Sequence, residues 1–275
     1  MADLSDVNRR HGRYLDSMLD AFETHLRMIT IRAQASLTGY LQRQLSITDG
    51  TVDRTPGNLR IIRSLDDRFM EYLDDAGYNT LLNSFTNEFT GQTVFLQDIL
   101  QYLGIGHPVG FTASDLNLFT ALKLNAITSL EMVAETAARN TMQRAMFSIA
   151  GLKFSDLVEM LATRLETSVG KAKTIADTAQ ISFYRTMTDA TFRRIEADLP
   201  EEELEYVYSG PDDSITRPFC EHLLKAAKSY TRAKIDQMSN GQIPNVMISG
   251  GGFNCRHTWL VDLSAREKQE QAKAA

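Results

Sequence analysis

Apolar residues in the first two-thirds of the chain recur at three- and four-residue steps. From about Val7 to Leu45, Tyr14, Met18, Leu19, Phe22, Leu26 and Ile29 mark one face of a long helix. Thr48-Asp49-Gly50-Thr51 and Pro56-Gly57-Asn58 read as loop. A second helix is expected from about Leu59 to Asp75 on Ile62, Leu65, Phe69, Tyr72 and Leu73, with Gly77 as its stop. Helix resumes near Tyr78 to Phe89 and Val94 to Leu103, and Gly104 to Pro108 breaks it. Ser114 is the expected N-cap of a long helix to about Ile149, closed by Gly151. A short helix from Ser155 to about Glu166 and another from Lys171 to about Ala197 follow, separated by Val169-Gly170.

The period changes after Pro200 and the acidic run Glu201-Glu202-Glu203. Leu204-Glu205-Tyr206-Val207-Tyr208 alternates like a strand, Gly210 to Ser214 is a turn, and Pro218 to Tyr230 reads as a helix with proline in its first turn. Asn240-Gly241 and Ser249 to Gly252 read as flexible turns, Thr258 to Leu263 as a closing strand, and the charged, Ala-rich stretch from Ala265 to Ala275 as a frayed tail. The expected class is mainly α: a multi-helical region over 1–168, a small α+β module over 169–263, and a tail over 264–275.

With 275 residues the chain is long enough for one or two domains with a full core. Lys and Arg number 29 against 35 Asp and Glu, for a net charge of −6. A protein that wraps duplex DNA needs a basic surplus to neutralise phosphates, so only transient contact through a local patch is expected. The first residues lack the basic-then-apolar pattern of a secretory signal. No stretch reaches the ~20 apolar residues of a membrane span. Two cysteines, Cys220 and Cys255, are too few for a disulfide-stapled scaffold and fit a reducing cytoplasm.

The informative pattern lies in the C-terminal third. Tyr206-Val207-Tyr208-Ser209-Gly210, then Asp213-Ser214-Ile215-Thr216-Arg217 with Cys220, then Asn254-Cys255-Arg256-His257 occur in order. This series resembles the signature of the phage Mu F-like minor head proteins, the head morphogenesis family. That signature is aromatic-x-aromatic-x-Gly, then Asp-x-x-Thr-Arg-x-x-Cys or His, then Asn-Cys-Arg-Cys or His. The resemblance covers roughly 170 to 263. Gly250-Gly251-Gly252-Phe253 replaces a Pro- or His-bearing run common in relatives, and His257 stands where Cys is commoner. It implies a low-copy, non-enzymatic protein of the phage virion, made in the host cytoplasm. It also implies association with the portal or other head proteins, self-association among them, and ejection with the DNA as a further expectation.

Residue chemistry gives these positions readings of their own. Asp213 suits an Asx-type turn, Thr216 a cap for the helix that Pro218 starts, and Arg217 a reach to a carboxylate or carbonyl across the module. Cys220, His222, Cys255 and His257 are a donor set that zinc accepts. On a helix, however, Cys220 and His222 lie roughly 200° apart. Cys220, Cys255 and His257 are therefore the better subset, with Asp213, His222 or water as fourth ligand. Buried thiols beside a hydrogen-bonded histidine, a zinc site and a Cys220–Cys255 disulfide all remain open. A Cys-dependent hydrolase or transferase carried by a phage-derived module is the alternative from another class, with Cys220 as nucleophile and His257 or His222 as base. A helical adaptor unrelated to phage is a third. Phosphate-binding and dinucleotide-binding glycine motifs are absent, and Gly250-Gly251-Gly252 follows no clear strand.

Overall fold

The computed structural model describes residues 4–102, 110–148, 152–198 and 204–262. The expected breaks at Gly104 to Pro108, Gly151 and Pro200 to Glu203, and the tail, lie outside them. The chain is mainly helical with a small C-terminal α+β part. Its elements are α1 (Leu4–Gln44), β1 (Ile47–Thr48), β2 (Thr51–Val52), α2 (Pro56–Arg63), α3 (Leu65–Asp75), α4 (Tyr78–Gly91), α5 (Thr93–Tyr102), α6 (Ala113–Ser148) and α7 (Phe154–Asp198). Then follow β3 (Glu205–Ser209), α8 (Pro218–Ala226), β4 (Ser229–Thr231), α9 (Arg232–Asp236), α10 (Val246–Ser249) and β5 (Thr258–Val261).

Contacts divide the chain into two compact units that do not follow chain order. One comprises 17–88 and 125–176, the other 1–16, 89–124 and 177–275. In the first, α1 buries Leu19, Phe22, Leu26, Ile29, Ala33, Leu37 and Leu41, the stripe its period requires. Phe22 meets Phe85 at 5.2 Å between ring centroids. The buried Asn58 side chain ties the β1–β2 region down by accepting from the Ser46 N–H and donating to the Ser46 and Asp53 carbonyls.

Several expectations need correcting. Thr48 to Thr51 is a tight antiparallel hairpin, not a plain loop, and Val52 N–H is further bonded to the Leu152 carbonyl. Pro56-Gly57-Asn58 opens α2, because Thr55 accepts from Asn58 N–H and proline suits a first turn. The single helix expected over 59–75 breaks at Ser64, whose hydroxyl bonds back to the Ile61 carbonyl. The start of α6 is held by Thr112 and not Ser114: Thr112 Oγ1 accepts from Asp115 N–H while the Asp115 carboxylate accepts from Thr112 N–H, a reciprocal box. Gly170 does not separate two helices, and α7 runs through it. A glycine inside a helix lowers stability without ending it.

In the second unit the sheet order is β4-β3-β5, antiparallel throughout, with Tyr206 opposite Tyr230 and Val261, and Tyr208 opposite Trp259. The alternating aromatics of β3 therefore lie on one buried face. Tyr206 packs on Phe192 of α7, and Tyr208 on Trp259, 4.7 Å between centroids. The helix expected to reach Tyr230 ends at Ala226. Ala227 takes a left-handed conformation (φ 44°), and the chain returns as β4. Pairing of Tyr230 with Tyr206 across the sheet outweighs local helical pattern there.

Candidate metal centre

Three segments converge beside Tyr208. Helix α8 turns Cys220 and Leu223 inward, while His222, two residues on, is exposed. The loop between α10 and β5 carries Cys255 and His257. Cys220, Cys255 and His257 are 1%, 5% and 3% exposed, so any ion they hold is shielded from water. Their sulfur and nitrogen atoms all lie within 4.8 Å of one another. Cys220 Sγ is 3.7 Å from Cys255 Sγ, which is 3.6 Å from His257 Nδ1, and both thiols are free. Zinc–sulfur bonds of ~2.3 Å and a zinc–nitrogen bond of ~2.05 Å at tetrahedral angles give separations of ~3.8 Å and ~3.6 Å. The cluster is able to hold a metal ion, and its donors are those zinc takes.

The hydrogen bonds around the cluster prepare it for that role. His257 Nε2 is 2.7 Å from the Pro211 carbonyl, which only accepts, so Nε2 carries the proton and Nδ1 offers its lone pair to the sulfurs. The Gly251 N–H donates to Cys255 Sγ at 3.1 Å, and the His257 N–H points at the same sulfur from 3.5 Å. The Cys220 hydrogen bond holds the Cys255 thiol well below its ordinary range, with the Arg185 charge adding to the effect against burial. The same contact, together with burial, pushes the Cys220 thiol up. Burial also pushes the Tyr208 phenol up.

Arg185 of α7 is a part of this arrangement that no local sequence signal marks. It is 4% exposed and donates to the Ser249 carbonyl at 3.1 Å, the Cys255 carbonyl at 2.6 Å and the His257 carbonyl. No carboxylate pairs with it within salt-bridge distance among the described residues. Two glycines are dictated by close approach. A Cβ on Gly251 would overlap Cys220 Sγ, and one on Gly210 would overlap the His257 ring. Ser249 to Gly252, expected as flexible turn, is a built segment: Ser249 ends α10, and Gly250, Gly251 and Gly252 are buried. At Gly251 the chain passes close to two sulfurs, so a side chain is excluded there.

The remaining motif residues tie the two segments together. Asp213 accepts from Ile215 N–H in an Asx turn and from Arg256 Nη2 at 2.7 and 2.8 Å. Thr216 closes that turn by accepting from Asp213 N–H. It does not cap α8, whose N-cap position is Arg217 without a side-chain bond. Arg217 donates to the Gly251 carbonyl at 3.0 Å, joining the start of α8 to the glycine segment. Asn254 takes a left-handed conformation (φ 53°) and accepts from Thr178 of α7 at 2.7 Å. Tyr206 lies apart from the cluster, in a network in which its hydroxyl donates to Glu196 and Arg232 bridges Glu196 and Asp189. Asp213 and His222, named as fourth ligands, do not join the three: the first is bound by Arg256 and the second faces solvent.

Compared with known proteins, the chain matches no family model, no curated protein and no solved structure. Among the described residues no helix is long and apolar enough to cross a membrane.

Proposed function

We propose that this chain is a structural and assembly protein of a tailed-phage head, of the Mu F-like minor head type, whose C-terminal module is stapled by zinc. One observation carries the reading. The motif residues from Asp213 to Cys220 and from Asn254 to His257 are spent on joining two loops to each other and to α7. Residues used this way serve a rigid docking unit, and a buried Cys-Cys-His cluster suits a staple. The proposed partners are the portal and other head proteins, including further copies of the chain, with transient contact to packaged DNA. The proposed location is the head interior or portal region of the virion. Mass spectrometry of purified particles tests it: low-copy presence supports it, absence from particles and from portal complexes overturns it. For the metal, elemental analysis of protein purified without added metal is expected to give about one zinc per chain. Zinc well below that, with melting unchanged by chelator, leaves the cysteines as packing residues.

A second reading, a Cys-dependent hydrolase or transferase, draws on one feature. Cys255, with its lowered thiol, lines a cavity of about 160 Å³ together with Arg185, Ile181, Ile248 and Asn254. Against it, the sulfur already receives bonds from Gly251 and faces Cys220, Tyr208 and His257. A hydrolytic turnover abolished by Cys255→Ser or Cys220→Ser with folding intact would favour it over the assembly role.

A further inference from the structure

We infer that the fourth ligand of the metal centre is the phenolic oxygen of Tyr208, so that the site is Cys220, Cys255, His257 and Tyr208. The inference rests on the metal reading above and goes one atom further. Tyr208 Oη lies 3.5 Å from Cys220 Sγ and 3.4 Å from Cys255 Sγ, within hydrogen-bond reach of both and nearly symmetric about the two sulfurs. A zinc–oxygen bond of ~2.0 Å beside zinc–sulfur bonds of ~2.3 Å, at tetrahedral angles, places oxygen ~3.5 Å from each sulfur. The hydroxyl has no partner other than these two sulfurs among the described residues. Its ring is held on all sides: nearly parallel to His257 at 12°, against Trp259 at 4.7 Å and edge-on to Phe219. A ligand locked this way needs no rearrangement to coordinate.

Charge supports the same assignment. Two thiolates and one phenolate around a divalent ion leave one negative charge, with three protons released to solvent as the metal binds. Arg185, buried and without a carboxylate partner among the described residues, supplies the balancing positive charge through the Cys255 and His257 backbone. With water as fourth ligand the centre would be neutral and the guanidinium would lack a counter-charge.

The test uses the full chain, stripped of metal and titrated with zinc. Ultraviolet difference spectra follow tyrosinate formation, and competition with a chromophoric chelator gives affinity. Wild type is expected to gain one tyrosinate per bound zinc. Tyr208→Phe is expected to lose that signal and bind at least tenfold more weakly, while Tyr206→Phe keeps both. Zinc binding by wild type with no tyrosinate signal overturns the assignment of Tyr208 and leaves the three-residue site standing. That spectrum decides the matter even if Tyr208→Phe fails to fold. Equal affinity in a folded Tyr208→Phe overturns it as well. No zinc binding by wild type defeats the metal reading itself, and this inference with it.

Discussion

Substituting Gly251 by alanine tests the packing of the site most directly. The added methyl would occupy the space of Cys220 Sγ, lie 3.3 Å from Cys255 Sγ and touch the Phe219 ring at 3.7 Å. None of these neighbours is the loose end of a flexible side chain, and both sulfurs are buried. Cys220 must leave its rotamer, at ~0.5–1.5 kcal/mol, or the loop must shift, and overpacking of a tight core costs ~1–3 kcal/mol. A total of ~2–3 kcal/mol is expected. For a chain of this length each kcal/mol moves the melting temperature by ~2–4 °C, so the drop should be ~4–12 °C. Calorimetry in the presence of chelator isolates packing from metal binding, and zinc counting without chelator should show sub-stoichiometric metal. A melting temperature within ~1 °C of wild type in chelator, with full zinc, would refute the close approach on which the site is built.

Three further outcomes are expected. Gly170→Ala should stabilise by up to ~1 kcal/mol, because Gly170 sits inside α7 with nothing within 4 Å of its added Cβ; a loss of stability in chemical denaturation would mean the helix breaks there. His11 is stacked on Tyr184 at 3.6 Å, and burial lowers its pKa to about 3. Its neutral form is the folded one, so stability should be full above the unfolded value of ~6.5 and fall as pH drops towards 3, by roughly 4–5 kcal/mol in the limit. His11→Phe should flatten denaturation midpoints between those pH values, and an unchanged pH profile would count against the assignment. Arg185→Met should cost ~3 kcal/mol or more, since three carbonyls lose a charged donor, and Arg185→Lys should not restore it, because one ammonium cannot span the same fork of acceptors; denaturant unfolding of both variants checks this.

The sequence by itself determined the long helices, because apolar spacing on α1 and α6 is a local property that survives any tertiary arrangement. It also set the alternation that makes β3 a strand, and it grouped Cys220, Cys255 and His257 by donor chemistry and helical spacing. Their mutual distances and the tautomer of His257 came only from the tertiary structure. So did the parts played by Arg185, Gly251 and Gly210. Arg185 lies in a helix 64 to 72 positions from its carbonyl partners, and no spacing rule reaches that far. The three glycines of 250–252 read as flexible until Arg185 and Cys255 are seen beside Gly250, both sulfurs beside Gly251 and the Gln242 side chain beside Gly252. Local breaks were misjudged for the same reason. Gly170 and the end of α8 are decided by which face is buried and which strand waits opposite, and those are facts about neighbours distant in the chain.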